Sequence, residues 1–159
     1  MLPRPAGRRL ARQQGIGLLR ARRDTMSFMA EIPVGAKGEH KQLVTSEIAV
    51  DFLGLEGARV LGTPYLIMLL EMTSRNTIKQ YLEDGFDSVG TLVNVRHLAA
   101  TPLGMSVTLR SEVVQVNDRH VVCKVEAFDE KEKIAEGTHE RFVVNVARFA
   151  SRVQAKRAG

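Results

Sequence analysis

One carboxylate stands inside the apolar run "TPYLIMLLEM", where Glu71 is flanked by Ile67, Met68, Leu70 and Met72. Desolvating an ionised carboxylate is costly, so a Glu in such surroundings must find a partner or take up a proton. His97 is a candidate partner. In "SVGTLVNVRHLA" it shares a strand face with Val89, Thr91, Val93, Val95 and Ala99, while Gly90, Leu92, Asn94, Arg96 and Leu98 take the other. Thr63 is the third candidate, about 12 Å before Glu71 along a helix axis. The two cannot touch, but helical side chains lean toward the N-terminus, so a small substrate fits between them. The helix start also favours negative charge developing there. An acid, an imidazole and a hydroxyl aimed at one interior make an acid and base set. Each also has an ordinary structural explanation: a stray ion-paired acid, a hydrogen-bonded core histidine and an N-cap threonine.

The remaining reactive side chains carry less. Cys123 alternates with Val121, Val125 and Ala127 and reads as a packed thiol rather than a nucleophile. His120 and His139 lack helical metal-ligand spacing, and "HER" at His139 is no metal signature, so no metal or other cofactor is expected. The chain contains no G-x-S-x-G, P-loop or G-x-G-x-x-G, which removes the usual support for serine hydrolases, NTPases and dinucleotide enzymes.

The elements that must position these residues follow from pattern. "KQLVTSEIAV" (41–50) predicts a short first strand, and "DFLGLEGARVLG" (51–62) a glycine-punctuated loop. A helix of about twenty residues is expected from an N-cap at Thr63, through Pro64, to Gly85 just past its end. Its first half is apolar almost all round and should be buried on most sides, whereas Arg75, Lys79 and Gln80 should carry the second half into solvent. Everything beyond Gly85 reads as four antiparallel strands, the last being "IAEGTHERFVVNVARF" (134–149). One buried helix and one antiparallel sheet protect the helix only if the sheet curls around it, which predicts an α+β hotdog fold. An uncovered sheet edge makes pairing of two copies the expected remedy, giving a homodimer or higher homo-oligomer.

The 159 residues suffice for one domain with a sizeable core. Three regions are expected: a basic extension at 1–30, a folded domain at 31–150 and a basic tail at 151–159. The net charge of +5 is concentrated in seven arginines among the first 23 residues, a stretch with no acid. The folded part is therefore slightly acidic, so no nucleic-acid partner is expected. Three readings of the extension stay open: a flexible tail with Met26 or Met29 as the true start, a transit peptide, or a membrane-surface helix. The flexible tail is favoured. No apolar run reaches spanning length and only one cysteine occurs, so a cytoplasmic protein without a membrane partner is expected.

The stretches "TPYLIMLLE", "VGTLVNVRHLAATPLGM" and "EGTHERFVV", in this order and spacing, resemble the fluoroacetyl-CoA thioesterase-like branch of the hotdog superfamily over roughly residues 44–149. The resemblance implies a dimeric acyl-CoA thioesterase with Thr63, Glu71 and His97 as its catalytic set. It also implies substrate-binding roles for Gly90 and Arg141. A missing side chain at Gly90 would let a backbone N–H approach the thioester oxygen, and Arg141 could meet a carboxylate or a CoA phosphate. Fluoroacetyl-selective members resemble one another in a Phe-bearing lid before the helix. This chain has Gly54, Gly57 and a single aromatic, Phe52, there. A short-chain acyl-CoA is therefore the expected substrate. The alternatives are a hotdog enoyl-CoA hydratase and a non-catalytic acyl-CoA-binding protein.

Overall fold

The computed structural model describes residues 31–158. The basic extension expected at 1–30 lies outside them. In chain order the elements are β1 (Lys37–Leu43), β2 (Ala49–Val50), β3 (Val60–Leu61), α1 (Thr63–Lys79), β4 (Phe86–His97), β5 (Ser106–Asn117), β6 (His120–Phe128), β7 (Lys133–Asn145) and α2 (Val146–Ala158). Five strands form one antiparallel sheet in the order β1-β5-β6-β7-β4, and β2 pairs with β3 in a separate ribbon. Helix α1 packs against all five strands.

Strand chemistry explains the sheet. β5 and β6 meet through a tight turn in which Asp118 takes φ 53, a left-handed conformation that Asp tolerates. At the next turn Asp129 Oδ1 accepts the amides of Lys131 and Glu132 at 2.8 and 2.9 Å. Period-2 alternation then lines the inner face with Val107, Leu109 and Val113 from β5 and Val121, Cys123 and Val125 from β6, all fully buried. Leu66, Leu70 and Ile78 of α1 close on this face. Burying each contributes about 1.5–3 kcal/mol. The packed-thiol reading of Cys123 agrees with its burial.

The helix departs from expectation at both ends. Its N-cap is Gly62, with no side-chain capping bond, and Leu66 N–H donates to the Gly62 carbonyl. Thr63 is thus the first helical residue, which frees its hydroxyl. The helix stops at Lys79 rather than running to Gly85, and residues 80–84 form turns instead. Both halves bury one face and expose the other. Tyr65, Met68 and Met72 of the apolar half are exposed, while Thr73, Ser74 and Thr77 of the second half are buried. Those hydroxyls bond to carbonyls one turn back at 2.8, 3.0 and 2.8 Å, so polarity there is satisfied within the helix. Gly38 lets β1 cross close to this segment, since a Cβ there would stand 2.1 Å from Thr77 Oγ1.

Three strand expectations also change. The first strand begins at Lys37 and ends at Leu43, and Ala49 and Val50 belong to the small ribbon with β3, which interrupts the expected loop. β7 ends at Asn145, and residues 146–158 form a helix, not strand and tail. In β4 a bulge at Thr91 sets Gly90 and Leu92 against the consecutive residues Arg141 and Glu140. The extra residue flips the alternation, so Gly90 does not oppose His97 as the unbroken pattern predicts. Ser88, Gly90 and His97 now share the helix side of the strand.

Candidate active site

Two clusters lie along α1. At mid-helix, Glu71 Oε1 accepts from Arg141 Nη1 at 3.3 Å, and the same nitrogen reaches the Glu71 carbonyl at 3.3 Å. The other guanidinium donors are bound to Ser88. Nε donates to its hydroxyl at 2.9 Å and Nη2 to its carbonyl at 2.6 Å. Arg141 is thereby buried to 2 % exposure, whereas the Glu71 side chain stays 43 % exposed. Burial pushes the Arg141 pKa down, and the nearby Glu71 charge opposes that push.

Gly90 forms the floor beneath this pair. A Cβ built on it would lie 2.8 Å from Glu71 Oε1 and 3.1 Å from His139 Nε2. The glycine is therefore required by close approach, not by an unusual dihedral. His139 is 1 % exposed, and burial drives its pKa below the usual imidazole value, with Arg141 adding to the effect and Glu71 opposing it.

The second cluster sits at the start of α1. Thr63 Oγ1 and His97 Nδ1 share a hydrogen bond of 2.9 Å. The bond engages Nδ1 and leaves Nε2 buried, with no hydrogen-bond partner among the described residues. Burial lowers the His97 pKa, and the nearby Ala99 backbone partly offsets this, so the site favours the neutral ring.

The structure thus brings the five sequence-derived residues to one side of the sheet but pairs them differently. Glu71 finds Arg141 rather than His97, and His97 finds Thr63. Glu71 is not enclosed by its apolar neighbours, because Met68 and Met72 point outward beside it. Sequence reading missed Ser88 and set His139 aside. The signal for His139 was present: in "GTHER", His139 and Arg141 are two apart on one strand, so a role for one places the other on the same face. Ser88 needed the bulge and the β4–β7 register. His120 lies elsewhere, paired with Glu140 at 2.8 Å.

A helix laid against a five-stranded antiparallel sheet is the architecture this chain shares with solved hotdog thioesterases. Residues 36–147 match the fluoroacetyl-CoA-specific thioesterase family FlK, and the chain belongs to that family. It is 37 % identical over 101 residues to the fluoroacetyl-CoA thioesterase of Streptantibioticus cattleyicolor, covering 64 % of this chain and 73 % of that one. The solved structure of the fluoroacetyl-CoA thioesterase FlK superposes with a TM-score of 0.71 at 33 % identity, over 78 % of this chain and 96 % of the other. A thioesterase superfamily member from Thermus thermophilus gives a TM-score of 0.74 at 27 % identity, over 82 % and 96 %.

Proposed function

We infer that this protein hydrolyses a short-chain acyl-CoA thioester to the free acid and CoA. The observation that carries this reading is the Glu71 carboxylate, held by a buried guanidinium directly above a residue with no side chain. In this reading the thioester carbonyl docks beside Gly90, whose amide, with Thr63, stabilises the developing oxyanion. Glu71 takes a proton from water, the water oxygen bonds to the carbonyl carbon, and the C–S bond breaks. His97 relays to the departing thiolate the proton that Glu71 took from water, so that the turnover ends with Glu71 as the carboxylate and the ring neutral again. A second route, in which Glu71 itself attacks and water then cleaves the anhydride, uses the same carboxylate.

The protein acts as a homodimer in this reading. β4 is a sheet edge, and exposed Leu92 and Val93 on it, with Met68 and Met72 on α1, form apolar surface around Glu71 that a second copy would cover. Light scattering on the purified chain tests the dimer, and a monomer at micromolar concentration rejects it. A cytoplasmic location belongs to the same reading and draws on the sequence having one cysteine, which is buried and unpaired.

Thiol release from a panel of acyl-CoAs tests the activity. Glu71→Gln is expected to lower kcat at least about a hundredfold. Unchanged turnover would remove Glu71 from the chemistry. Hydration of crotonyl-CoA without thiol release would favour a hydratase, and tight CoA-ester binding with no turnover would favour a binding protein.

A further inference from the structure

His139 is the buried titratable group that the proposed mechanism leaves unused. It stands at 1 % exposure, and neither ring nitrogen has a hydrogen-bond partner among the described residues. An imidazole in that state carries the desolvation cost of its unmet polar groups, a cost that an apolar ring would avoid. Its position is specific. Nε2 and Glu71 Oε1 both border the point where Gly90 would carry a Cβ, at 3.1 and 2.8 Å, so they lie within about 6 Å of each other. Rotation of the half-exposed Glu71 side chain closes that separation, or one water bridges it.

The charged and titratable groups around the ring come from three elements. Glu71 faces it from α1, Arg141 follows it by two residues on β7, and Cys123 is its register partner on β6. β4 places Val93 and Gly90 beside it, neither of which titrates. Arg141 holds the ionised form of Glu71, but nothing on its guanidinium accepts a hydrogen bond. Once Glu71 has taken a proton from water, the carboxyl O–H needs an acceptor, and a neutral imidazole nitrogen supplies one.

Resting on the hydrolase reading and its water-activation route, we propose that His139 is a positioning residue that accepts a hydrogen bond from the protonated Glu71 carboxyl group. The proton stays on Glu71 in this step, no covalent bond to His139 forms, and the ring acts only while neutral. Protonation of His139 would remove the acceptor and set a second cation beside Arg141.

The test compares the full-length wild type with His139→Phe and His139→Gln. Each is assayed for kcat and KM from pH 5 to 9 and followed by thermal melting. His139→Phe should lower kcat about ten- to a hundredfold with KM within about threefold, since an interaction made only beyond the ground state is lost. Its melting temperature should not fall. His139→Gln, which keeps a hydrogen-bonding carbonyl but cannot titrate, should recover kcat to within about threefold of wild type at pH 8 and lose part of the acid limb below pH 6.5. Wild-type kcat in His139→Phe across the range overturns the proposal. If His139→Phe does not fold, the His139→Gln profile decides: an acid limb identical to wild type overturns it, and a shifted limb supports it. A wild type that turns over no acyl-CoA removes the hydrolase reading itself, an outcome distinct from an active enzyme indifferent to His139.

Discussion

The two clusters on α1 are built in opposite ways. Around Glu71 the site is clamped at the arginine, because buried Arg141 makes four hydrogen bonds to Ser88 and Glu71 and meets the half-exposed carboxylate through one of them, at 3.3 Å. Around Thr63 it rests on one hydrogen bond between an exposed first-turn hydroxyl and a strand-end imidazole. A carboxylate that must stay ionised near apolar surface needs a fixed counter-charge, whereas a hydroxyl and a neutral ring need only contact. The clamped half is thus expected to couple stability to activity. At neutral pH the loose half should affect activity far more than stability.

The largest expected effect comes from Arg141→Lys, since an ammonium cannot reproduce the fork that holds Ser88 and Glu71 together. Stability should fall by about 1–3 kcal/mol through the unmet buried groups, measured by urea unfolding. The accompanying fall in kcat/KM should reach about a hundredfold, as expected for a misplaced reacting group. Equal stability and activity in this variant would mean that the clamp is not what holds Glu71.

Gly90→Ala sharpens the same half. The new methyl meets Glu71 Oε1 and His139 Nε2 inside normal contact distance, so one or both side chains must move. A loss of kcat/KM of about tenfold or more is expected. A crystal structure of the variant should show the carboxylate displaced.

In the loose half, Thr63→Val should lower kcat about tenfold by removing one donor at the oxyanion, and Thr63→Ser should keep most of it. Because Gly62 is the N-cap, Thr63→Val should change stability by under about 0.5 kcal/mol, rather than the roughly 1 kcal/mol of a lost cap. A larger loss in thermal or urea melts would show that the hydroxyl has a structural role.

The smallest effect separates the halves by pH. His97 and His139 both have pKa values depressed by burial, so the unfolded chain binds their protons first as pH falls. Their contribution to stability is fully present above pH 6.5 and declines as pH drops toward the folded values. Urea midpoints measured from pH 8 to pH 5 should fall. His139→Phe should flatten that dependence more than His97→Phe does, because His139 is the more deeply buried ring. Equal slopes in wild type and both variants would mean that neither ring governs acid sensitivity.

Residue types alone determined a good deal: an acid in an apolar helix, a histidine in a strand, strands of period two beyond Gly85, and hence a helix embraced by an antiparallel sheet. They also placed Thr63, Glu71 and His97 among the residues of interest, and Gly90 and Arg141 with help from a family resemblance. Local periodicity could not reveal the bulge at Thr91, since an extra residue leaves composition unchanged while reversing every side chain after it. Nor could it assign partners. Whether Glu71 meets His97 or Arg141 depends on strand register and on which strands flank the helix, relations between residues far apart in the chain. Tertiary structure made those choices because burying a guanidinium requires each of its three nitrogens to find an acceptor at once. Only the juncture of α1, β4 and β7 offers Ser88 and Glu71 together.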